Sequence, residues 1–149
     1  MKYFTHEWWM NFGDTDDMSV FARYDSYLAS ISEKLPKALL EFHSEHTLHD
    51  AEVKRITSSF SQKTIQMEFR GWDVQLQNPI YYTLKFSGVT EFEQVLPQQE
   101  YVESELGDLG YWEIEALNQG IEIRMLFVSE AKFKIIFDGF SYDFRKITT

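Results

Sequence analysis

The spacing of apolar residues changes at the segment Leu48–Val53, and this change constrains the fold more than any other feature. Between Val20 and Lys34, apolar side chains recur at three- and four-residue intervals, which is typical of one face of an amphipathic helix. From Ile65 onward, apolar and polar residues mostly alternate, which is typical of strands with one buried face. The sequence therefore predicts helices before this segment and a sheet after it.

The predicted elements give an α+β fold in a single domain, residues 1–149. A second helix is expected from Lys37 to about His46, because Pro36 suits the first turn of a helix. About two helices within residues 1–47 would pack on an antiparallel sheet of about six to seven strands within residues 48–149. The pattern fits an open curved sheet, a sandwich or a barrel. The predicted strands are 65–69, 80–86, 111–117, 121–127, 133–137 and 142–147.

The start of the chain gives weaker signals. Its first nine residues, MKYFTHEWW, are interpreted as a short strand or as an aromatic segment lying against the sheet. Asp14–Asp17 is interpreted as a turn and a helix start, because carboxylates favour the positive end of the helix dipole. A calcium loop is not expected, since Met18–Phe21 supplies neither the glycine nor the distant glutamate of an EF-hand.

Acidic residues are concentrated in one part of the chain. The sequence has 24 acidic and 14 basic side chains, giving a net charge of −10, and no Lys, Arg or His lies between Phe86 and Glu122. Nucleic-acid binding needs clustered basic residues, so a nucleic-acid partner is not expected. Aromatic residues among the carboxylates instead favour the docking of a basic protein partner. The predicted interface consists of Glu91, Glu93, Tyr101, Glu103, Glu105, Asp108, Tyr111 and Trp112.

Three histidines recur at three-residue spacing near the predicted end of the second helix. His43 and His46 would share one helix face and could together hold a divalent metal. His49 would join them only if the chain turns there, and Glu45 or Asp50 could add an oxygen ligand. The alternative is that the imidazoles stabilise the negative end of the helix dipole. This set is the predicted metal site, and no other cofactor is expected.

Signatures of catalysis are sparse. Cysteine is absent, and no GxSxG, HExxH or phosphate-binding glycine pattern occurs. Glu113 and Glu115 lie two apart on a predicted strand and would share one face. We expect that face to be exposed to solvent rather than to form a pair of catalytic carboxylates. His49 and Asp50, as neighbours on a strand, would point to opposite faces, which argues against their pairing.

Two short stretches resemble known families. The opening MKYFTHEWW and the LHDAEV of residues 48–53 resemble an uncharacterised family of small bacterial proteins, a domain of unknown function. LHDA, followed by alternating strands and Gly110-Tyr111-Trp112, is similar to immunity proteins of bacterial toxin systems. The first resemblance implies no activity. The second implies a cytoplasmic protein that binds and blocks a toxin.

The N-terminus and the hydropathy pattern bear on location and function. The chain lacks the basic start and apolar run of a signal peptide, and no window has the roughly 18 apolar residues of a membrane span. We therefore expect a soluble cytoplasmic protein without a membrane partner. The leading hypothesis is a non-enzymatic, immunity-like module that binds a protein. The alternatives are a metal-dependent enzyme at the histidines, or a small apolar ligand held in a curved sheet, which the 17% aromatic content permits.

Overall fold

The computed structural model describes residues 1–15, 18–97 and 106–148, without the side chains of residues 13–15. The described part contains three α-helices, one 3-10 turn and eight strands. The helices are α1 (His6–Thr15), α2 (Ser19–Ile31) and α3 (Lys37–Glu45), with the 3-10 turn Ser32–Lys34 after α2. The strands are β1 (Glu52–Ser59), β2 (Thr64–Trp72), β3 (Pro79–Ser87), β4 (Glu91–Val95), β5 (Leu109–Ala116), β6 (Ile121–Phe127), β7 (Lys132–Phe137) and β8 (Gly139–Lys146).

The two predicted helices are confirmed as α2 and α3, because each buries one face. Val20, Tyr24, Leu28 and Ile31 are the buried residues of α2. Pro36 precedes α3, and its carbonyl accepts hydrogen bonds from the amides of Leu39 and Leu40 in the first turn of that helix. The 3-10 turn and Pro36 therefore separate two short helices, as the sequence indicates.

A third helix, α1, occupies the start of the chain, where a short strand or an aromatic segment lying against the sheet was predicted. The Thr5 hydroxyl accepts a hydrogen bond from the Trp8 amide at 3.0 Å, and so caps the start of this helix. Asp14 lies in the last turn of α1, and α2 begins at Ser19, so the prediction of a helix start at Asp14 was wrong. Asp16 and Asp17 lie outside the described residues.

The strands form two antiparallel four-stranded sheets, in the orders β1-β2-β3-β8 and β4-β7-β6-β5. The predicted antiparallel α+β fold is thereby confirmed, including β8 as an edge strand, but the described strands do not close into one barrel. Strands β1 and β4 were missed and raise the count from the predicted six or seven to eight. Both are largely exposed, so neither shows clean burial at every second residue.

The helices pack against the two sheets at different places. On α3, the Phe42 ring lies 5.5 Å from Tyr82 of β3 and 5.1 Å from Tyr142 of β8. On α2, the Tyr24 hydroxyl accepts a hydrogen bond from the Ile114 amide of β5 at 2.8 Å. Strand β5 is the edge of its sheet, so α2 supplies partners for edge amides that would otherwise be free to pair with another chain.

A short turn joins the two sheets at Leu48–Ala51. The Leu109 amide donates to the Ala51 carbonyl at 2.8 Å, and the Asp50 amide donates to the Leu109 carbonyl at 2.9 Å. This pairing fixes the end of α3 beside the start of β5. None of the described helices combines the length and the apolar character needed to cross a membrane.

Candidate functional site

A pocket of about 220 Å³, which we call the aromatic pocket, lies between the helices, the Leu48–Ala51 turn and β5. Residues from five separate parts of the chain contribute to it, and five of the lining residues are aromatic. The lining residues are Phe4, Phe21, Tyr24, Asp25, His43, His49, Gly110, Tyr111 and Trp112. The predicted site residues His43, His49, Tyr111 and Trp112 therefore meet in one place, although no single prediction had grouped them.

Ring packing behind the pocket holds its wall in place. The Tyr111 ring stacks on Phe4 with centroids 5.2 Å apart, and Trp8 and Trp9 contact Tyr111 edge-on at 5.1 and 5.2 Å. Such pairs stabilise a structure beyond the area that they bury. Gly110 is required here because a Cβ atom at that position would overlap the indole of Trp9. The helix α1 thus supports a pocket that it does not itself line.

His43 and Asp25 are the polar groups on the helical side of the pocket. The His43 Nδ1 atom is buried and has no hydrogen-bond partner among the described residues. Burial lowers the pKa of His43, and the negative charge of Asp25 opposes that shift in part. The imidazole is therefore neutral at pH 7, with an unused polar atom in an aromatic setting. The same two residues also line a second hollow, of about 210 Å³, formed mainly by apolar side chains of α2 and α3.

The other two histidines of the predicted metal site lie in different surroundings. The His46 ring packs 4.5 Å from Phe144 and 5.4 Å from Tyr82, and burial lowers its pKa. The His49 Nδ1 atom lies 2.9 Å from the Gly110 carbonyl oxygen. Among the described residues, no three His, Asp or Glu side chains are placed to hold a metal ion together. The structure thus does not assemble the ligand set that the spacing predicts.

His49 and Asp50 are closer than the sequence indicates. They lie in a turn, not on a strand, and Asp50 has a left-handed backbone with φ of 61°. The His49 Nε2 atom is consequently 3.7 Å from the Asp50 carboxylate. Because these two residues are not on a strand, their side chains need not point to opposite faces. His49 is oriented at one nitrogen by a carbonyl and has a carboxylate near the other.

Glu113 is the largest departure from the predicted solvent-exposed face. Its carboxylate is fully buried and accepts hydrogen bonds from the backbone amides of Lys2, Tyr3 and Phe4 at 2.8, 2.7 and 2.6 Å. The Arg124 guanidinium donates to the same carboxylate at 3.0 and 3.3 Å. The start of the chain is thereby fixed over β5, which places Phe4 in the wall of the aromatic pocket.

Arg124 also joins the neighbouring carboxylates into one group. It donates to Glu115 at 2.8 Å and to Glu122, and Lys2 reaches Glu115 at 2.8 Å. Glu115 has 18% of its side chain exposed, so it too is largely removed from solvent. The charges and hydrogen-bonding groups of these carboxylates are paired with those of Arg124 and Lys2. The group has a structural role and leaves no pair of free carboxylates for catalysis.

Acid should weaken the fold through Glu113. Burial alone would raise the pKa of this carboxyl, but its hydrogen bonds with backbone amides and Arg124 lower the pKa below 4.5. The unfolded chain then binds a proton first, so the free energy of unfolding falls as the pH drops from about 5 through the lowered pKa. In Glu113→Gln, the free energy of unfolding at pH 7 should be lower than in wild type. Its decrease with falling pH should also be shallower, as measured by urea unfolding at each pH. Glu93→Gln is the control, and equal slopes in all three proteins would contradict this role.

The five described residues of the predicted acidic interface lie in three different surroundings. Glu91 and Glu93 of β4 lie 3.1 and 3.5 Å from the Lys134 ammonium. Tyr111 and Trp112 face the aromatic pocket, and Asp108 lines a separate cleft of about 340 Å³ with Asp50, Glu52, Arg70, Trp72 and Leu76. The remaining three interface residues, Tyr101, Glu103 and Glu105, lie outside the described residues.

The fold and the pocket define an α+β protein whose two four-stranded sheets carry a small aromatic pocket beside an edge strand. The chain belongs to the family described as "Protein of unknown function (DUF4085)", whose model matches residues 1–137. The predicted resemblance to a domain-of-unknown-function family is thus confirmed. No curated protein matches the chain.

The solved structures that are similar to part of the chain include one uncharacterized protein. That protein, from Neisseria gonorrhoeae, has 14% sequence identity to the chain, and its crystal structure gives a TM-score of 0.43. The match covers 65% of this chain and 93% of that one. None of the comparisons concerns toxin immunity, so the similarity to immunity proteins stays a prediction.

Proposed function

We propose that the protein is a binding module that holds a small, largely apolar ligand in the aromatic pocket. The observation that carries the proposal is the pocket itself, a space of about 220 Å³ lined by five aromatic side chains. An apolar cavity of about 150 Å³ is enough for a benzene-sized molecule. A ligand with one ring or a few methyl groups therefore fits the available space.

The position of the pocket also favours binding. Its walls come from α2, α3, the Leu48–Ala51 turn, β5 and the start of the chain, and ligand pockets occur preferentially where such elements meet. His43 and Asp25 give the lining two polar residues, which would orient a ligand among the rings. A few placed polar groups in a mainly aromatic lining are what small-molecule sites share.

Binding of p-cresol, a small neutral aromatic probe, tests this proposal. Wild-type protein should bind it measurably in ligand-observed NMR, and Trp112→Ala should weaken binding about tenfold or more, because one ring of the wall is lost. Trp72→Ala is the matched control, since Trp72 is also half-buried but lines the separate cleft with Arg70. Absence of wild-type binding, or equal loss in both variants, would contradict the proposal.

A second candidate function is the docking of a basic protein partner, and the neighbourhood of Asp108 favours it. Partial burial and the nearby charges of Asp50 and Glu52 raise the pKa of Asp108. Like charges crowded at one edge indicate a negative potential that a basic surface would relieve. The similarity to immunity proteins would make that partner a toxin.

Charge reversal tests this second candidate. Glu103→Lys, Glu105→Lys and Asp108→Lys together should abolish the salt-sensitive capture of a basic protein from lysate of the host. The control reverses Glu33, Glu45 and Asp143, three exposed acids elsewhere, and changes the net charge by the same amount. If both triple variants capture the basic protein equally well, Glu103, Glu105 and Asp108 are not its docking site.

A further inference from the structure

We infer that the aromatic pocket selects a small organic cation, an ammonium group carrying methyl or other short apolar substituents. This inference rests on the proposed function and adds the chemical class of the ligand. It comes from the charges and rings around the pocket. Three features of the pocket bear on the ligand: the first two indicate a cation, and the third suits an ammonium group that carries an N–H.

The first feature is the ring content of the wall. Phe4, Phe21, Tyr24, Tyr111 and Trp112 all line a space only about 220 Å³ in volume. Aromatic faces carry negative electrostatic potential and attract ammonium groups within about 6 Å of the ring centroid. In so small a space, a ligand atom at the centre lies near several rings at once. Recognition of methylated ammonium groups commonly uses such an arrangement.

The second feature is the sign of the charge at the pocket. Among the described lining residues, Asp25 is the one with a formal charge at pH 7, and its carboxylate is exposed to solvent. The lining includes neither Lys nor Arg. The Asp50 carboxylate lies just behind it, 3.7 Å from His49 Nε2, and the whole chain carries a net charge of −10. The local and the overall fields therefore attract a cation and repel an anion.

The third feature is the unused Nδ1 atom of His43. It is buried and without a partner among the described residues, and a neutral imidazole can accept a hydrogen bond through a ring nitrogen. A protonated tertiary amine offers one N–H donor together with its methyl groups. Such a ligand would contact the rings with its methyl groups, the imidazole with its N–H and Asp25 with its charge.

The test compares ligands that differ in charge at nearly constant shape. Isothermal titration calorimetry at pH 7 and low salt would measure binding of protonated N,N-dimethylethanolamine, of choline, and of 3,3-dimethylbutan-1-ol, the neutral carbon analogue of choline. Both cations should bind at least about tenfold tighter than the neutral alcohol. Asp25→Asn should reduce that preference about threefold or more, whereas Asp143→Asn, an exposed acid on β8, should leave it unchanged.

Each outcome separates this inference from the proposed function. If the neutral alcohol binds as tightly as the cations, the pocket binds ligands but does not select cations, and the inference fails. If p-cresol binds and the two cations do not, the inference again fails while the proposed function stands. If neither p-cresol nor the three ligands bind, both fail. If Asp25→Asn leaves the preference for cations unchanged, Asp25 does not take part in cation selection.

Discussion

Replacing Arg124 by Met is expected to lower the free energy of unfolding by about 3–5 kcal/mol. Arg124 of β6 lies directly opposite Glu113 of β5 and is the cation that contacts its fully buried carboxylate. Without the guanidinium, that charge would remain buried with only backbone amides as partners. Glu115 and Glu122 would also lose the cation between them. Removing one member of a buried ion pair costs far more than the pair contributes when intact.

The neighbouring strand offers a matched control. Lys134 of β7 is the register partner of Arg124, and it pairs with Glu91 and Glu93 at a more exposed position. Lys134→Met should therefore cost much less than Arg124→Met in the same urea unfolding experiment, because solvent screens an exposed ion pair. Comparable losses in Arg124→Met and Lys134→Met would show that burial of the Glu113 charge does not matter.

A double variant isolates the charge from the hydrogen bonds. In Glu113→Gln with Arg124→Met, no charge is left at the fully buried position 113, while the Gln carbonyl can still accept hydrogen bonds from backbone amides such as that of Phe4. The double variant should thus be more stable than Arg124→Met alone. If it is less stable, the penalty comes from lost contacts of the arginine stem and not from a buried charge.

The two missed strands, β1 and β4, bury no regular face, whereas most of the correctly predicted elements do. Strands β2 and β3 are buried at every second residue, and α2 is buried along one helical stripe, so their sequences show the matching period. Strand β1 is half-buried at only three of its eight residues and exposed at the rest, so packing imposes no period on its sequence. It is held by pairing with β2, which has no comparable local signature.

The spacing of Glu113 and Glu115 correctly placed them on one strand, but not in the right environment. Whether a sheet face meets solvent depends on what lies over it. Here the covering segment is the start of the chain, and the hydrogen bond from Lys2 to Glu113 spans 111 residues of sequence. No local pattern in the sequence of β5 indicates that contact. The sequence therefore predicted a solvent-exposed carboxylate where the structure has a buried one.

The sequence analysis did not predict the aromatic pocket, for a related reason. Its rings come from stretches of sequence that are far apart, and Phe4, Phe21 and Tyr24 were interpreted as parts of helices or of the N-terminal segment, not as a site. The one available signal was the aromatic excess, which could not separate rings that fill a core from rings that line a space. His43 and His49 were picked for their spacing. Helix α3 places His43 at the pocket and the turn places His49 there, whereas the His46 ring packs against Phe144.

Replacing Phe4 by Ala should lower the free energy of unfolding by about 3–5 kcal/mol, the range for removing a buried Phe side chain. Phe4 is 5% exposed, and its ring centroid lies 5.2 Å from both Tyr24 and Tyr111 and 5.4 Å from Phe21. The control is Phe60→Ala, because Phe60 is 95% exposed and its loss should change stability by no more than about 0.5 kcal/mol.

The Phe4 variant also connects stability with binding. Phe4 both anchors the start of the chain, through its amide on Glu113, and lines the aromatic pocket with its ring. Under conditions where Phe4→Ala remains folded by circular dichroism, its affinity for p-cresol should fall about tenfold or more, because a wall of the pocket is missing. A folded Phe4→Ala protein that binds the probe as wild type does would place the ligand elsewhere. Loss of binding only together with loss of fold would assign Phe4 a purely structural role.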